Sequence, residues 1–105
     1  MGLVAERYAR ALFEEAAETG DDSAGAQLDA FMRLLDSDKS AAEYFADPFV
    51  DTAGKKDFVR TAVSAGKDGA FVKFLCVLID KRRERNLSEV ADAYRCLALK
   101  KAGVE

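Results

Sequence analysis

A chain of 105 residues that is 50% hydrophobic and 33% charged has the balance of one globular domain and excludes a disordered chain. Its formal net charge of -3 gives no general attraction to nucleic acid or to an anionic membrane. With no histidine and two cysteines it also excludes a zinc site and histidine-based proton transfer.

Met1 to Ala5 shows no charged segment leading into an apolar one, so no signal peptide is expected and the chain reads as cytosolic. From Val4 to Glu18 the apolar residues recur with helical spacing. Ala5, Ala9, Leu12, Phe13 and Ala16 form one arc; Glu6, Arg7, Arg10, Glu14 and Glu18 form the opposite one. Val4, Tyr8 and Ala11 widen the apolar arc to about half the circumference, more than one core contact requires. Thr19-Gly20-Asp21-Asp22 stops this helix, with Gly20 as C-cap and Asp22 or Ser23 as the next N-cap.

A second helix runs to about Asp36, with Leu28, Phe31, Met32 and Leu35 on one face. Ser40-Ala41-Ala42-Glu43 matches a capping box and opens a short third helix carrying Tyr44 and Phe45, which Pro48 ends. Phe49 and Val50 are expected to tuck under the bundle. Asp51 or Thr52 caps a fourth helix with Phe58, Val59, Ala62 and Val63 on one face, and Gly66-Lys67-Asp68-Gly69 is a solvated loop lacking phosphate-cradle spacing.

The fifth helix, from Phe71 to Asp80, is apolar around nearly its whole circumference and is expected to be central. Lys73 and Asp80 define its polar stripe, yet Val77 lies between Lys73 and Lys81, inside the arc that should face water. That misplaced valine marks a place where a partner can dock. The run Lys81-Arg82-Arg83-Glu84-Arg85 is explained by cations complementing the negative end of the helix dipole, and no nucleic-acid patch is expected. A sixth helix begins near Asn86 and carries Leu87, Val90, Ala91, Tyr94, Leu97 and Ala98 on one face.

Cys76 and Cys96 read as small apolar packing residues in a reducing compartment. The carboxylates fall at caps or on helix surfaces, and Glu14 and Glu15 diverge on the helix rather than facing each other. The expectation is an all-α domain spanning 1–105, a six-helix bundle with no catalytic site, cofactor or metal, whose function is binding.

Tyr8-Ala9-Arg10-Ala11-Leu12-Phe13-Glu14 resembles the first-helix segment of the δ subunit of F-type ATP synthase, the OSCP family. Asp47-Pro48 followed by Lys55 or Lys56 is similar to that family's Asn-Pro and downstream lysine. Phe74-Leu75-x-x-Leu78 with Arg83, then Leu87-x-x-Val90-x-x-x-Tyr94, resembles its fifth and sixth helices. Asp47 departs from the usual asparagine, and Lys81 to Arg85 is more basic and longer than the usual Asn-Gly-Arg turn.

The resemblance covers the whole chain and the family's N-terminal domain only. It implies two interleaved V-shaped helix pairs, helices 1/5 and 2/6, completed by shorter third and fourth helices. It implies a non-catalytic stator connector in the peripheral stalk, on the cytoplasmic side of the membrane without inserting into it. The N-terminal helix of an α subunit would bind between helices one and five, and the b subunits would bind a C-terminal domain. Val4, Tyr8, Ala11, Lys73 and Val77 are then the expected walls of the groove. The competing expectation is an unrelated helical adaptor or regulatory module.

Overall fold

The helical spacing read from the sequence is realised in the computed structural model, which describes residues 3–20, 23–63, 69–101 and 103. Among these residues there are six α-helices, one short 3-10 turn and no strand. Helix α1, Leu3–Thr19, buries Ala5, Ala9, Leu12 and Ala16. These recur every three or four positions, and the small size of the three alanines lets α1 lie close along α6, Leu87–Lys101. Gly20 ends α1 at φ +71°, a left-handed conformation that costs glycine little.

Ser23 stands at the N-cap of α2, Ala24–Ser37, and its carbonyl accepts from the Gln27 N–H at 2.8 Å. Asp22, the alternative cap, lies outside the described residues. The expected capping box at Ser40 is corrected: α3, Lys39–Ala46, is opened by Asp38, whose carboxylate accepts from the Ala41 N–H at 3.1 Å. Asp38 is extended, as an N-cap must be, and its own N–H closes α2 on the Leu34 carbonyl at 2.9 Å. One residue therefore ends one helix and starts the next, which leaves Ser40 inside α3.

Asp47 breaks α3 in an extended conformation before Pro48. Its carboxylate then accepts from the Phe49 N–H at 2.8 Å. Phe49 is not tucked under the bundle; it is 94% exposed, while Val50 is half-buried. The Asp47 hydrogen bond and the proline fix the backbone so that the ring points away from the core. Asp51 caps α4, Thr52–Val63, accepting from the Gly54 N–H at 2.8 Å.

Helix α5, Ala70–Asp80, starts at Gly69 and has most of its residues buried. It contacts α1, α2 and α4, as its nearly continuous apolar circumference requires. The rest of the expected loop, residues 66–68, lies outside the described residues. Phe31 of α2 meets Phe45 of α3, Phe58 of α4 and Phe71 of α5 edge-on at centroid distances of 5.2, 6.1 and 6.0 Å. This geometry sets the positive ring edge against a negative face and adds about 0.5–1.5 kcal/mol per pair beyond area burial.

Three expectations about the helices need correction. α4, at 12 residues, is not shorter than α5, at 11. Ala98 is exposed and Ala93 is buried in its place, because the fully buried part of α6 ends at Ala93 and its last turns project beyond the core. Cys96, on those same turns, is exposed rather than packed; Cys76 is half-buried against the core, and the two do not form a disulfide.

Candidate functional site

Helices α1 and α5 run side by side in opposite directions. The Tyr8 ring meets Phe74 edge-on at 6.2 Å, and the Arg83 guanidinium lies 5.9 Å over the same ring. The C-terminal end of α5 therefore sits beside the first half of α1. Because α1 turns Ala5, Ala9 and Leu12 toward α6 and the core, the flank carrying Tyr8 and Ala11 is left uncovered. Between the helices lies a shallow groove of about 260 Å³, lined by Tyr8, Ala11, Leu12 and Glu15 on one side and Ala70, Lys73, Phe74 and Val77 on the other.

Four of the five expected residues, Tyr8, Ala11, Lys73 and Val77, come together in this groove. Val4 does not line it; it is exposed one turn before Tyr8 on the same helix. Val77 is 44% exposed, and Leu12, Ala70 and Phe74 form a buried apolar floor. Sequence reasoning missed Leu12, Glu15, Ala70 and Phe74 as lining residues. The signal was present: Glu15 stands seven residues from Tyr8, and Ala70 seven from Val77, two turns along the same stripe in each helix.

Chemically, this arrangement offers apolar contact bordered by two opposite charges. Neither Glu15 nor Lys73 forms an ion pair with another described residue. The lining contains no nucleophile paired with a base, and among the described residues no cluster of metal-ligating side chains occurs. Small alanines and an edge-on tyrosine suit close approach of an apolar helix face.

A second polar feature stands behind α5, at the corner where it ends. The Lys55 ammonium donates to the Glu84 carboxylate at 2.7 Å, with the residues 1% and 6% exposed. Arg82, at φ +57°, donates to the Pro48 carbonyl at 2.6 Å and to the Val50 carbonyl at 3.3 Å. The Arg83 N–H reaches back to the Leu78 carbonyl at 2.9 Å and the Arg82 N–H to Ile79 at 3.0 Å, closing α5 in a Schellman motif.

The expected explanation of Lys81 to Arg85 as cations serving the helix dipole is thus incomplete. Glu84 is buried as the counter-ion of α4, and Arg82 clamps the Pro48 turn. Of the two lysines that sequence left open, Lys55 is the buried one; Lys56 bridges Asp80 at 2.7 Å near the surface.

Residues 4–105 match the family model described as ATP synthase delta (OSCP) subunit. The chain is 39% identical over 103 residues to the ATP synthase subunit delta of Desulforudis audaxviator, covering 92% of this chain and 54% of that protein. It is 34% identical over 98 residues to that of Desulfitobacterium hafniense strain Y51, covering 92% and 54%. To that of Rhizobium johnstonii it is 37% identical over 102 residues, covering 95% and 54%. The chain spans about half the length of these curated relatives. No solved structure gives a significant match.

Proposed function

The chain belongs to the ATP synthase delta (OSCP) subunit family, and from that premise we propose that it is a non-catalytic connector of the ATP synthase peripheral stalk. In this reading residues 1–105 form one helical domain, the family's N-terminal domain, which caps the catalytic head and helps keep it from turning with the rotor. Two interleaved helix pairs, α1 with α5 and α2 with α6, belong to this reading; α1 packs on α5 and α2 on α6, while the most extensive packing in the bundle is between α1 and α6. A C-terminal domain of the family would hold the b subunits. Such a connector sits peripherally on the cytoplasmic side of the membrane; among the described residues no helix is long and apolar enough to cross it.

The observation that carries the reading is the uncovered apolar groove between α1 and α5, with Val77 standing in water on its α5 wall. A domain that had no partner there would gain by placing a polar residue at that position, since Lys73 and Lys81 lie one turn to either side. The occupant is the amphipathic N-terminal helix of an α subunit, whose apolar anchors at i, i+3, i+4 and i+7 would lie on the Leu12, Ala70 and Phe74 floor.

Calorimetric titration of a peptide from the cognate α-subunit N-terminus tests this. Val77→Asp sets a carboxylate into the apolar contact of the complex, and Ala11→Trp blocks close approach, so both are expected to abolish most of the binding while leaving a folded chain. Unchanged affinity in both variants would remove the groove assignment.

A further inference from the structure

We infer that the open cleft between α3 and α4 binds an arginine side chain carried by a basic segment of a partner protein, at a place separate from the α1–α5 groove. The cleft measures about 430 Å³ and is lined by Tyr44 of α3 and by Gly54, Asp57, Phe58 and Thr61 of α4. It sets two aromatic rings beside a carboxylate, and a guanidinium can use both kinds of group at once.

The local sequence fixes this corner before any ligand arrives. Tyr44 is 40% exposed, and its ring rests against Phe58 at a centroid distance of 5.5 Å with the planes 54° apart. Phe58 is held from behind by Phe31 and Phe45. The Tyr44 hydroxyl lies over Gly54, where a Cβ would come within 3.0 Å of it and within 2.9 Å of the Asp51 carboxylate. Glycine weakens a helix, yet only glycine leaves room there for both the tyrosine and the Asp51 cap. A ring so positioned loses little freedom on binding.

Charge complementarity names the occupant. Both lysines of α4 turn away from this face, Lys55 to the buried Glu84 and Lys56 to Asp80 of α5. Asp57 keeps Arg60 at 3.9 Å on the surface, a pairing that an incoming cation replaces at little cost. Glu43, Asp47 and Asp51 add negative charge along α3 and the connector to α4. A quaternary ammonium calls for a closed aromatic cage, whereas two tilted rings form an open corner. A planar guanidinium stacks on one ring and still reaches a carboxylate with its edge. The lining of α4 runs from Gly54 to Thr61, about two helical turns, which suits an extended chain bearing that side chain.

The test titrates the isotopically labelled 105-residue chain with an eight-residue peptide of alternating arginine and glycine, and with the same peptide carrying citrulline, which keeps the shape and removes the charge. The arginine peptide is expected to shift the amide signals of Tyr44, Gly54, Asp57 and Phe58, and the citrulline peptide to bind about tenfold more weakly. Tyr44→Leu and Asp57→Asn should each weaken binding about two- to fourfold, with the thermal unfolding of Asp57→Asn unchanged. Glu18→Gln, which removes an exposed carboxylate on α1, should leave the affinity as it is. An equal loss from Glu18→Gln would mean unspecific attraction to a chain of net charge -3 and would overturn the inference. So would equal binding of the citrulline peptide, shifts centred away from the cleft, or no binding at all. Each of these failures leaves the α-subunit docking reading standing, since that reading is measured with a different peptide at Val77 and Ala11.

Discussion

The two sides of α5 invert the usual distribution of polarity in opposite ways. Behind its C-terminal end an ammonium and a carboxylate are shut away from water, and on its outer face a valine is left in it. The buried pair is satisfied from within: Lys55 and Glu84 meet at 2.7 Å, and the neighbouring turn is held by Arg82. The groove is not satisfied from within, since its floor has no covering element and its two charged borders have no described partner. In the docking proposed above, the misfit residues behind α5 serve the fold and those of the groove serve a partner helix. Stability measurements should respond to the first and binding measurements to the second.

The sharpest way to break this distinction is at Lys55. Lys55→Met leaves the Glu84 carboxylate buried without a counter-ion, and unfolding in urea should show a loss of about 3–5 kcal/mol. The double variant Lys55→Met, Glu84→Leu removes both charges and should recover much of that loss. A single variant as stable as the parent would mean that water reaches the corner.

Arg82 gives the next largest effect. Arg82→Ala loses the hydrogen bonds to Pro48 and Val50 while keeping the left-handed backbone, and should destabilise by roughly 1–2 kcal/mol. Arg82→Gly loses the same bonds but relieves the backbone, so it should lie about 1 kcal/mol above the alanine variant in thermal unfolding.

At the groove, Val77→Asp should change the stability of the free chain by less than about 0.5–1 kcal/mol, because the new carboxylate stands in water one turn from both Lys73 and Lys81. A loss of several kcal/mol would place Val77 in the core and dissolve the contrast. The smallest perturbation is chemical labelling: Cys96 should react with a thiol reagent in the native chain well before Cys76, which is half-buried against the core. Equal rates for the two thiols, read by mass spectrometry, would count against the described packing of α5.

Much of this architecture was legible because its signals are local. Alternation every three or four residues located α1, α2, α5 and α6, and Pro48 and Gly20 marked ends that the structure keeps. The groove was legible for a subtler reason: Val77 violated the pattern of its own helix, and Tyr8 and Ala11 overfilled theirs. What stayed hidden depends on residues far apart in the chain. Nothing within a few positions of Lys55 announces a carboxylate 29 residues later, and a charged run reads as a solvated face until one member is seen turned inward. Phe49 was misread because an apolar side chain was assumed to find cover, whereas the Asp47 cap and Pro48 fix its direction first. Asp38 and Ser40 both suit a cap. Only the backbone angles of the α2–α3 junction choose between them.

The Lys55–Glu84 pair also constrains how this sequence can drift. A change at either position alone strands its partner in a dry site, so the two cannot vary independently even though they lie on separate elements. Even Glu84→Gln, which keeps the size of the side chain and still accepts from the lysine, leaves the Lys55 ammonium buried without a counter-charge, so every single-step route out of the pair passes through a destabilised chain. Once both charges are gone, the return path meets the same barrier from the other side. The corner therefore acts as a ratchet on sequence change, while the groove, under the docking proposed above, is free to shift whenever its partner shifts with it.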